Sequence, residues 1–307
     1  MFEVILNFIL TSIFLQVAAT AITNPTLPPN ALPLAQTKAI APVPVMSTTT
    51  DSLGVLVTAQ SCIVVEPESG VVLYEKNAQE PRSIASITKL MTALVFLDSN
   101  KNWDETITMV AGDYKPGSQP VLLLGDKVTV KDLFYAMMVA SSNEAASALA
   151  RSTGLSADDF AYQMNLRAKV LGMNNSNFVE PIGLSSGNQA SAEDVIKLIQ
   201  VAFSHSEVRK AGATKAYTIH VINKDVDRNL TSTDKALKED FGIANNSFKI
   251  EMGKTGYIDA AGYCFASQVK DENNRRLLIA VLGSSSTFDR FTDTKSLAYW
   301  VFSNYRW

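Results

Sequence analysis

Histidine and cysteine are almost missing from this chain, which has two of each among 307 residues. A Ser-His-Asp triad needs a histidine beside an activated serine with a carboxylate behind it. His205 sits at the end of an apolar, helix-patterned run, and His220 alternates with Ile219 and Val221 in a strand-like one. Neither is framed by a recognisable motif, so a serine nucleophile here must find another base. Cys62 and Cys264 form no CxxC or Cys/His cluster, so neither a structural zinc site nor any other metal or cofactor is expected. Each lies in an apolar run where a free thiol packs as a small hydrophobe, and the sequence leaves open whether the two pair. A basic surplus is missing too. With 27 Lys+Arg against 30 Asp+Glu the net charge is -3, which argues against nucleic acid as a partner.

Charge is absent altogether from residues 4–21, an apolar run that ends in Ala19-Thr20-Ala21. That ending is a small-x-small pattern of the kind signal peptidases cut, although Glu3 stands where a basic residue is usual. Export to the periplasm or cell envelope is expected, by a segment that is either a cleaved signal peptide or a retained membrane anchor. Residues 22–54 carry Pro25, Pro28, Pro29, Pro33, Pro42 and Pro44 among Thr and Ala, and show neither helical nor strand periodicity. They are expected to form a linker reaching roughly 100 Å if fully extended. The folded, catalytic part is then residues 55–307.

Within it the pattern is α+β. Residues 61–65 and 71–75 flank Pro67-Glu68-Ser69-Gly70 and predict a hairpin. Residues 87–97 are apolar on nearly every face, which predicts a helix buried in the middle of the protein. Thr129, Ser156 and Ser191 each stand three residues before an Asp, a helix-opening signature. Strand patterns return at 248–254, 261–269 and 277–282, and an amphipathic helix closes the chain at about 288–302. Strands come from both ends and helices from the middle. The expected architecture is one antiparallel sheet built from both chain ends and flanked by helices, with a mainly helical lobe inserted beside it and a cleft between.

Ser86-Ile87-Thr88-Lys89 supplies the missing base. Three residues apart on a helix, Ser86 and Lys89 share a face, and burial and helix dipole both disfavour the ammonium. Spacing alone is weak support, because 232–235 and 267–270 also read S-x-x-K. Context separates them: the first lies in a polar loop, the second runs out of a strand, and only Ser86 opens a buried helix. Ser141-Ser142-Asn143 interrupts two helical stretches without Gly or Pro, either as a plain turn or as a hydroxyl and amide at a cleft edge. Lys254-Thr255-Gly256, the only K-[ST]-G in the chain, is expected to end a strand and is followed by Tyr257. A strand edge there could pair with an extended peptide.

These three motifs in this order resemble the penicillin-binding and serine β-lactamase superfamily, and within it the low-molecular-mass serine D-alanyl-D-alanine carboxypeptidases. The resemblance extends over about residues 61–302, including Leu171-Gly172-Met173-Asn174, Gly183-Leu184 and Ala261-Gly262-Tyr263. It implies that Ser86 forms an acyl-enzyme, Lys89 takes its proton and Ser141 relays a proton to the leaving D-alanine. It further implies that Asn143 holds the substrate amide, that Lys254 and Thr255 receive the terminal carboxylate beside Gly256, and that the Ser86 and Tyr257 amides form the oxyanion hole. The implied substrate is the peptidoglycan stem peptide, with β-lactams as covalent inhibitors. A D,D-endopeptidase and a silent envelope-binding module are the alternatives. Glu180 invites comparison with a deacylating glutamate, but its surrounding E-x-x-L-N frame is absent, so it is expected to be a loop residue.

Overall fold

The computed structural model describes residues 43–47, 52–99, 102–115, 120–238 and 247–307. The apolar run at 4–21 and residues 22–42 and 48–51 of the expected linker lie outside them. Among the described residues no helix is long and apolar enough to cross a membrane.

Five strands make the central sheet: β1 (Ser61–Val65), β2 (Val72–Lys76), β3 (Phe248–Ile258), β4 (Gly262–Asp271) and β5 (Arg276–Ser284). Their order is β3-β4-β5-β1-β2, with every pair antiparallel. The chain ends thus meet where β5 pairs with β1, as expected, and β3 lies at an edge. The β1–β2 turn is organised by Glu66, whose carboxylate accepts the amides of Glu68 at 3.0 Å and Ser69 at 2.6 Å.

Residues alternate between the two faces of the sheet, as pleating requires. Ile63, Ala266, Leu278 and Ala280 join the core under the helical lobe, while Cys62, Val64, Phe265 and Ile279 join a second core under the last helix. The two cysteines are buried and free, and burial pushes their thiols up to about 12 for Cys62 and about 11 for Cys264. They are inert packing groups.

The helices are α1 (Thr88–Asp98), α2 (Val130–Val139), α3 (Asn143–Ser152), α4 (Ala157–Val170), α5 (Ala192–Ala202), α6 (Ser206–Gly212) and α7 (Asp289–Asn304). Every residue of α1 from Thr88 to Phe96 is buried, so this helix runs through the protein rather than over it. Three expected caps form. The Thr129, Ser156 and Ser191 hydroxyls accept the amides of Asp132, Asp159 and Asp194 at 3.0, 3.1 and 3.1 Å, each worth about 1 kcal/mol.

Part of the expected linker is seated on the fold. Val45–Met46 pair antiparallel with Tyr305–Arg306, and Trp300 Nε1 donates to Ser52 Oγ at 2.7 Å. Just beyond, Asp293 of α7 accepts the amides of Thr58 and Ala59, both at 2.9 Å, and the hydroxyls of Thr58 and Ser284, both at 2.8 Å. One buried carboxylate therefore ties the segment leading into β1, β5 and α7 together. Asp293→Ala leaves those donors unsatisfied and is expected to cost about 3 kcal/mol. A urea unfolding midpoint equal to that of the parent would show that the clamp contributes nothing.

Candidate active site

Ser86 lies in a single 3-10 turn, Ala85–Ile87, that leads into α1, and Ala85 holds φ at +48°. This non-glycine left-handed residue turns the chain so that Ser86 is half-buried while its neighbours Ala85 and Ile87 are fully buried. Lys89 follows one turn later and is completely buried. Its Nζ lies 2.9 Å from Ser86 Oγ, 2.8 Å from Asn143 Oδ1 and 2.6 Å from the Ile182 carbonyl oxygen. The last two partners are pure acceptors. A neutral amine has two N–H groups for them, and its lone pair is then left for the Ser86 hydroxyl. Burial drives the Lys89 ammonium down to about 7, against the pull of the Glu180 and Glu144 carboxylates.

The break between α2 and α3 presents the second motif. Ser141 has φ at +57°, and Ser142 caps α3 by accepting the Ala145 amide at 3.1 Å. That arrangement leaves Ser141 Oγ to accept from Lys254 Nζ at 2.8 Å, so the Ser141 hydroxyl proton is free to be donated elsewhere. Glu144, one residue beyond Asn143, is buried and accepts the Val121 and Leu122 amides at 2.7 and 3.1 Å, fixing the start of α3.

The third motif differs from expectation in one respect. Lys254-Thr255-Gly256 does not end a strand but lies inside β3, with Thr255 opposite Phe265 and Gly256 opposite Cys264. Continuation to Ile258 is possible because the β3–β4 turn comes only at Asp259–Ala261, so pairing persists through the motif. Gly256 is required by contact: a Cβ there would stand 2.8 Å from the Ile84 carbonyl oxygen and 3.1 Å from the Ser86 amide nitrogen. Strand β3 is thereby pressed against the Ser86 turn. Tyr257 is half-exposed, its ring stacked on Tyr263 at 4.4 Å and its hydroxyl donating to Asp259 at 2.8 Å. Lys254 is buried, and its ammonium is lowered well below its ordinary value by burial, by Lys89 and by Arg290, with Asp234 opposing. These contacts bring Ser86, Lys89 and Asn143 together, join Lys254 to Ser141, and press Gly256 against the Ser86 amide, with Thr255 and Tyr257 on either side of it in β3.

Four further contributors escaped sequence reasoning. The 232–235 stretch is the expected loop as far as a 3-10 turn at Lys235, but it packs on β3 and the end of α2. The Thr233 amide donates to the Val139 carbonyl at 3.0 Å, its hydroxyl lies 2.7 Å from Thr255 Oγ1, and Asp234 is buried behind Gly253. Arg290 of α7, also buried, donates to the Gly256 carbonyl at 3.2 Å. The Ile182 carbonyl, which reaches Lys89, belongs to a loop folded around Glu180. That carboxylate accepts the amides of Ile182, Gly183, Leu184 and Ser185 at 2.6–3.1 Å and the Asn188 side-chain amide at 2.6 Å. Glu180 is a loop organiser, and its bonds are spent on four backbone amides and the Asn188 side chain. The histidines lie elsewhere: His220 pairs with Asp227 on an exposed hairpin and His205 precedes α6.

A sheet built from both chain ends, a helical lobe and three motifs in mutual contact define a serine D,D-peptidase of the penicillin-binding and serine β-lactamase superfamily. Residues 46–286 match the D-alanyl-D-alanine carboxypeptidase (peptidase S11) family, and the chain belongs to it. It is 34% identical to the D-alanyl-D-alanine carboxypeptidase of Streptomyces sp. strain K15, over 75% of this chain and 83% of that one. It is 28% identical to a D-alanyl-D-alanine endopeptidase of Pseudomonas aeruginosa, over 78% and 76% of the two chains. The crystal structure of the Streptomyces K15 DD-transpeptidase is similar with a TM-score of 0.73 and 28% identity, covering 81% of this chain and 98% of that one. Penicillin-binding protein D2 of Listeria monocytogenes in its ampicillin-bound form is similar with a TM-score of 0.69 and 29% identity, over 81% and 99%.

Gly256→Ala tests the contact between β3 and the Ser86 turn. Both nearest atoms are backbone, so the turn must shift, and acylation by benzylpenicillin is expected to fall by at least about tenfold in a folded protein. An unchanged rate would mean that this contact does not position the serine.

Proposed function

We propose that this protein hydrolyses the terminal D-Ala–D-Ala bond of peptidoglycan stem peptides through an acyl-enzyme on Ser86. The observation that carries the reading is the Lys89 amine, buried and 2.9 Å from Ser86 Oγ with its two N–H groups engaged by Asn143 and Ile182. Lys89 Nζ takes the Ser86 proton as Oγ bonds the penultimate carbonyl carbon. The amides of Ser86 and Tyr257 hold the oxyanion. Collapse breaks the C–N bond, and Ser141 passes a proton to the departing D-alanine amine. Water then hydrolyses the ester and restores Ser86. Lys254 and Thr255 hold the terminal carboxylate, and Asn143 the peptide amide. Edge strand β3 offers its backbone to the extended stem peptide, as peptide-binding sheet edges do.

β-Lactams reproduce the D-Ala–D-Ala amide and carboxylate, so they acylate the same serine; the Listeria relative's structure contains ampicillin. Peptidoglycan lies outside the cytoplasm, which puts the site of action in the periplasm or cell envelope, with residues 4–21 directing export and residues 22–42 serving as tether. A second reading, D,D-endopeptidase action on cross-links, uses the same groups. The endopeptidase names of relatives from Pseudomonas aeruginosa and Escherichia coli favour it. Mass analysis of purified peptidoglycan after digestion separates the two: loss of single D-alanines supports the carboxypeptidase, and loss of dimers supports the endopeptidase.

Benzylpenicillin is expected to leave one adduct, on the peptide carrying Ser86, and Ser86→Ala to abolish it. An adduct on Ser141 or Ser232 would overturn the assignment. The acylation rate should rise with pH through about 7, because the charged form of Lys89 cannot accept a proton and the group loses its charge as pH rises. Lys89→Arg, whose guanidinium stays charged, should lose acylation by about a thousandfold or more. Near-native acylation in that variant would remove Lys89 as the base.

A further inference from the structure

A cavity of about 660 Å³ opens on the helical lobe, walled by α3, the start of α4, the Glu180 loop and residues 112–115. Two of these walls also reach Lys89, which fixes where the cavity lies. In the Glu180 loop the Ile182 carbonyl accepts from Lys89, and Ile182 lines the cavity with Pro181 and Leu184. At the first turn of α3 Asn143 accepts from Lys89, and Ser147, Ala150 and Arg151 of the same helix line the cavity. Spacings of four, seven and eight residues from Asn143 keep all four on one face of α3. At 1.5 Å per residue the cavity begins about 6 Å past Asn143 along the helix and extends to about 12 Å.

The walls stand without a ligand. The Pro181 carbonyl accepts the Thr92 hydroxyl of α1 at 2.6 Å, and Asn165 of α4 bonds the Phe178 amide and carbonyl at 2.9 and 2.6 Å. Ala150, Leu155, Phe160 and Ile182 make the lining largely apolar, and Phe160 is only 1% exposed. A preformed cavity of this size and lining favours an apolar guest. Formal charges around it cancel, but hydrogen-bonding capacity does not. Asp113 is spent on Arg151 Nε and Nη2, both at 2.9 Å, and on the Val110 amide, and Glu180 is spent on its own loop. Arg151 Nη1 makes no hydrogen bond to a described residue, and Lys115 adds a second cation to the lining. The polar end of a guest therefore meets a donor rather than an acceptor.

We propose that this cavity is the subsite for the residue just upstream of the D-Ala–D-Ala pair, and that it takes a long aliphatic side chain ending in a carboxylate. This rests on the Ser86 acyl-enzyme reading and names its substrate more closely. In that reading the terminal carboxylate lies at Lys254 and Thr255, and the peptide amide on the acyl side lies at Asn143. The next residue upstream is one Cα step of 3.8 Å further on, toward the face of α3 that carries Ser147. A side chain of four methylenes spans about 5–6 Å more, enough to lie along Ala150 and bring its end to Arg151. A bare methyl at that position leaves the cavity to water and gains nothing from its apolar lining.

The test uses three N-acetylated tripeptides ending in D-Ala–D-Ala, with 2-aminopimelate, norleucine or alanine in first place, as competitors of benzylpenicillin acylation of the full protein. The norleucyl peptide is expected to halve the acylation rate at a concentration about tenfold below the alanyl peptide, and the aminopimelyl peptide at one several-fold lower again. Ser147→Phe fills the cavity from α3. It should bring all three peptides to the alanyl value while the acylation rate itself stays within about twofold of the parent. Ala157→Phe, at the exposed start of α4, replaces it if that variant does not fold. Equal competition by the three peptides against the parent overturns the subsite, as does a Ser147→Phe protein that still ranks them as the parent does. A norleucyl peptide that matches the aminopimelyl one overturns the carboxylate assignment. Absence of any benzylpenicillin adduct on the unsubstituted protein would instead remove the acyl-enzyme reading itself.

Discussion

A primary amine sealed inside a protein must either lose its proton or be given enough acceptors to keep it. Lys89 sits at that boundary: no part of it touches solvent, its Nζ meets two carbonyl oxygens and one hydroxyl, and burial brings its ammonium down to about 7. An ordinary lysine, at about 10.4, would be charged and useless as a base at neutral pH. The surroundings follow from this requirement. Helix α1 is buried over most of its length because that is what removes Lys89 from water. The Glu180 loop exists in its folded form to bring the Ile182 carbonyl to Nζ, and five N–H groups converge on one carboxylate to hold it there. The break between α2 and α3 supplies the other carbonyl, from Asn143.

The rest of the fold positions Ser86 against the substrate strand. Gly256 and Gly183 both face the Ala85–Ser86 backbone at distances that exclude a side chain; a Cβ on Gly183 would stand 2.9 Å from the Ser86 amide nitrogen. Two close approaches from opposite elements locate the nucleophile more firmly than its own turn could. The Asp293 clamp of α7 serves the same end at longer range, because it joins the segment leading into β1 to β5.

Much of this was legible in the sequence because it is local. Ser86 and Lys89 share one helix, Lys254 to Tyr257 share one strand, and the caps at Thr129, Ser156 and Ser191 are complete within four residues. The parts that escaped depend on contacts between segments far apart. Polarity marked 232–235 as a loop, and nothing in those four residues says that Thr233 would meet Thr255 or that Asp234 would be buried behind Gly253. Glu180 was legible as a loop residue, but not as the group that aims a backbone carbonyl, since a carbonyl has no side chain to announce it. Arg290 lay unnoticed in an amphipathic helix, where a charged residue ordinarily faces water. The strand through Lys-Thr-Gly proved longer than its apolar alternation suggested, because backbone pairing with β4 continues past the polar residues.

The charge state of Lys89 can be observed without reference to catalysis. Protein labelled with 13C at lysine Cε, compared with Lys89→Arg to assign the signal, reports that one amine as pH is raised. The expected result is a Lys89 Cε resonance that titrates near 7, far from the remaining lysines. A Lys89 resonance that moves only with the bulk of the lysines, at about 10.4, would contradict it. Ser86 would then have no base within reach.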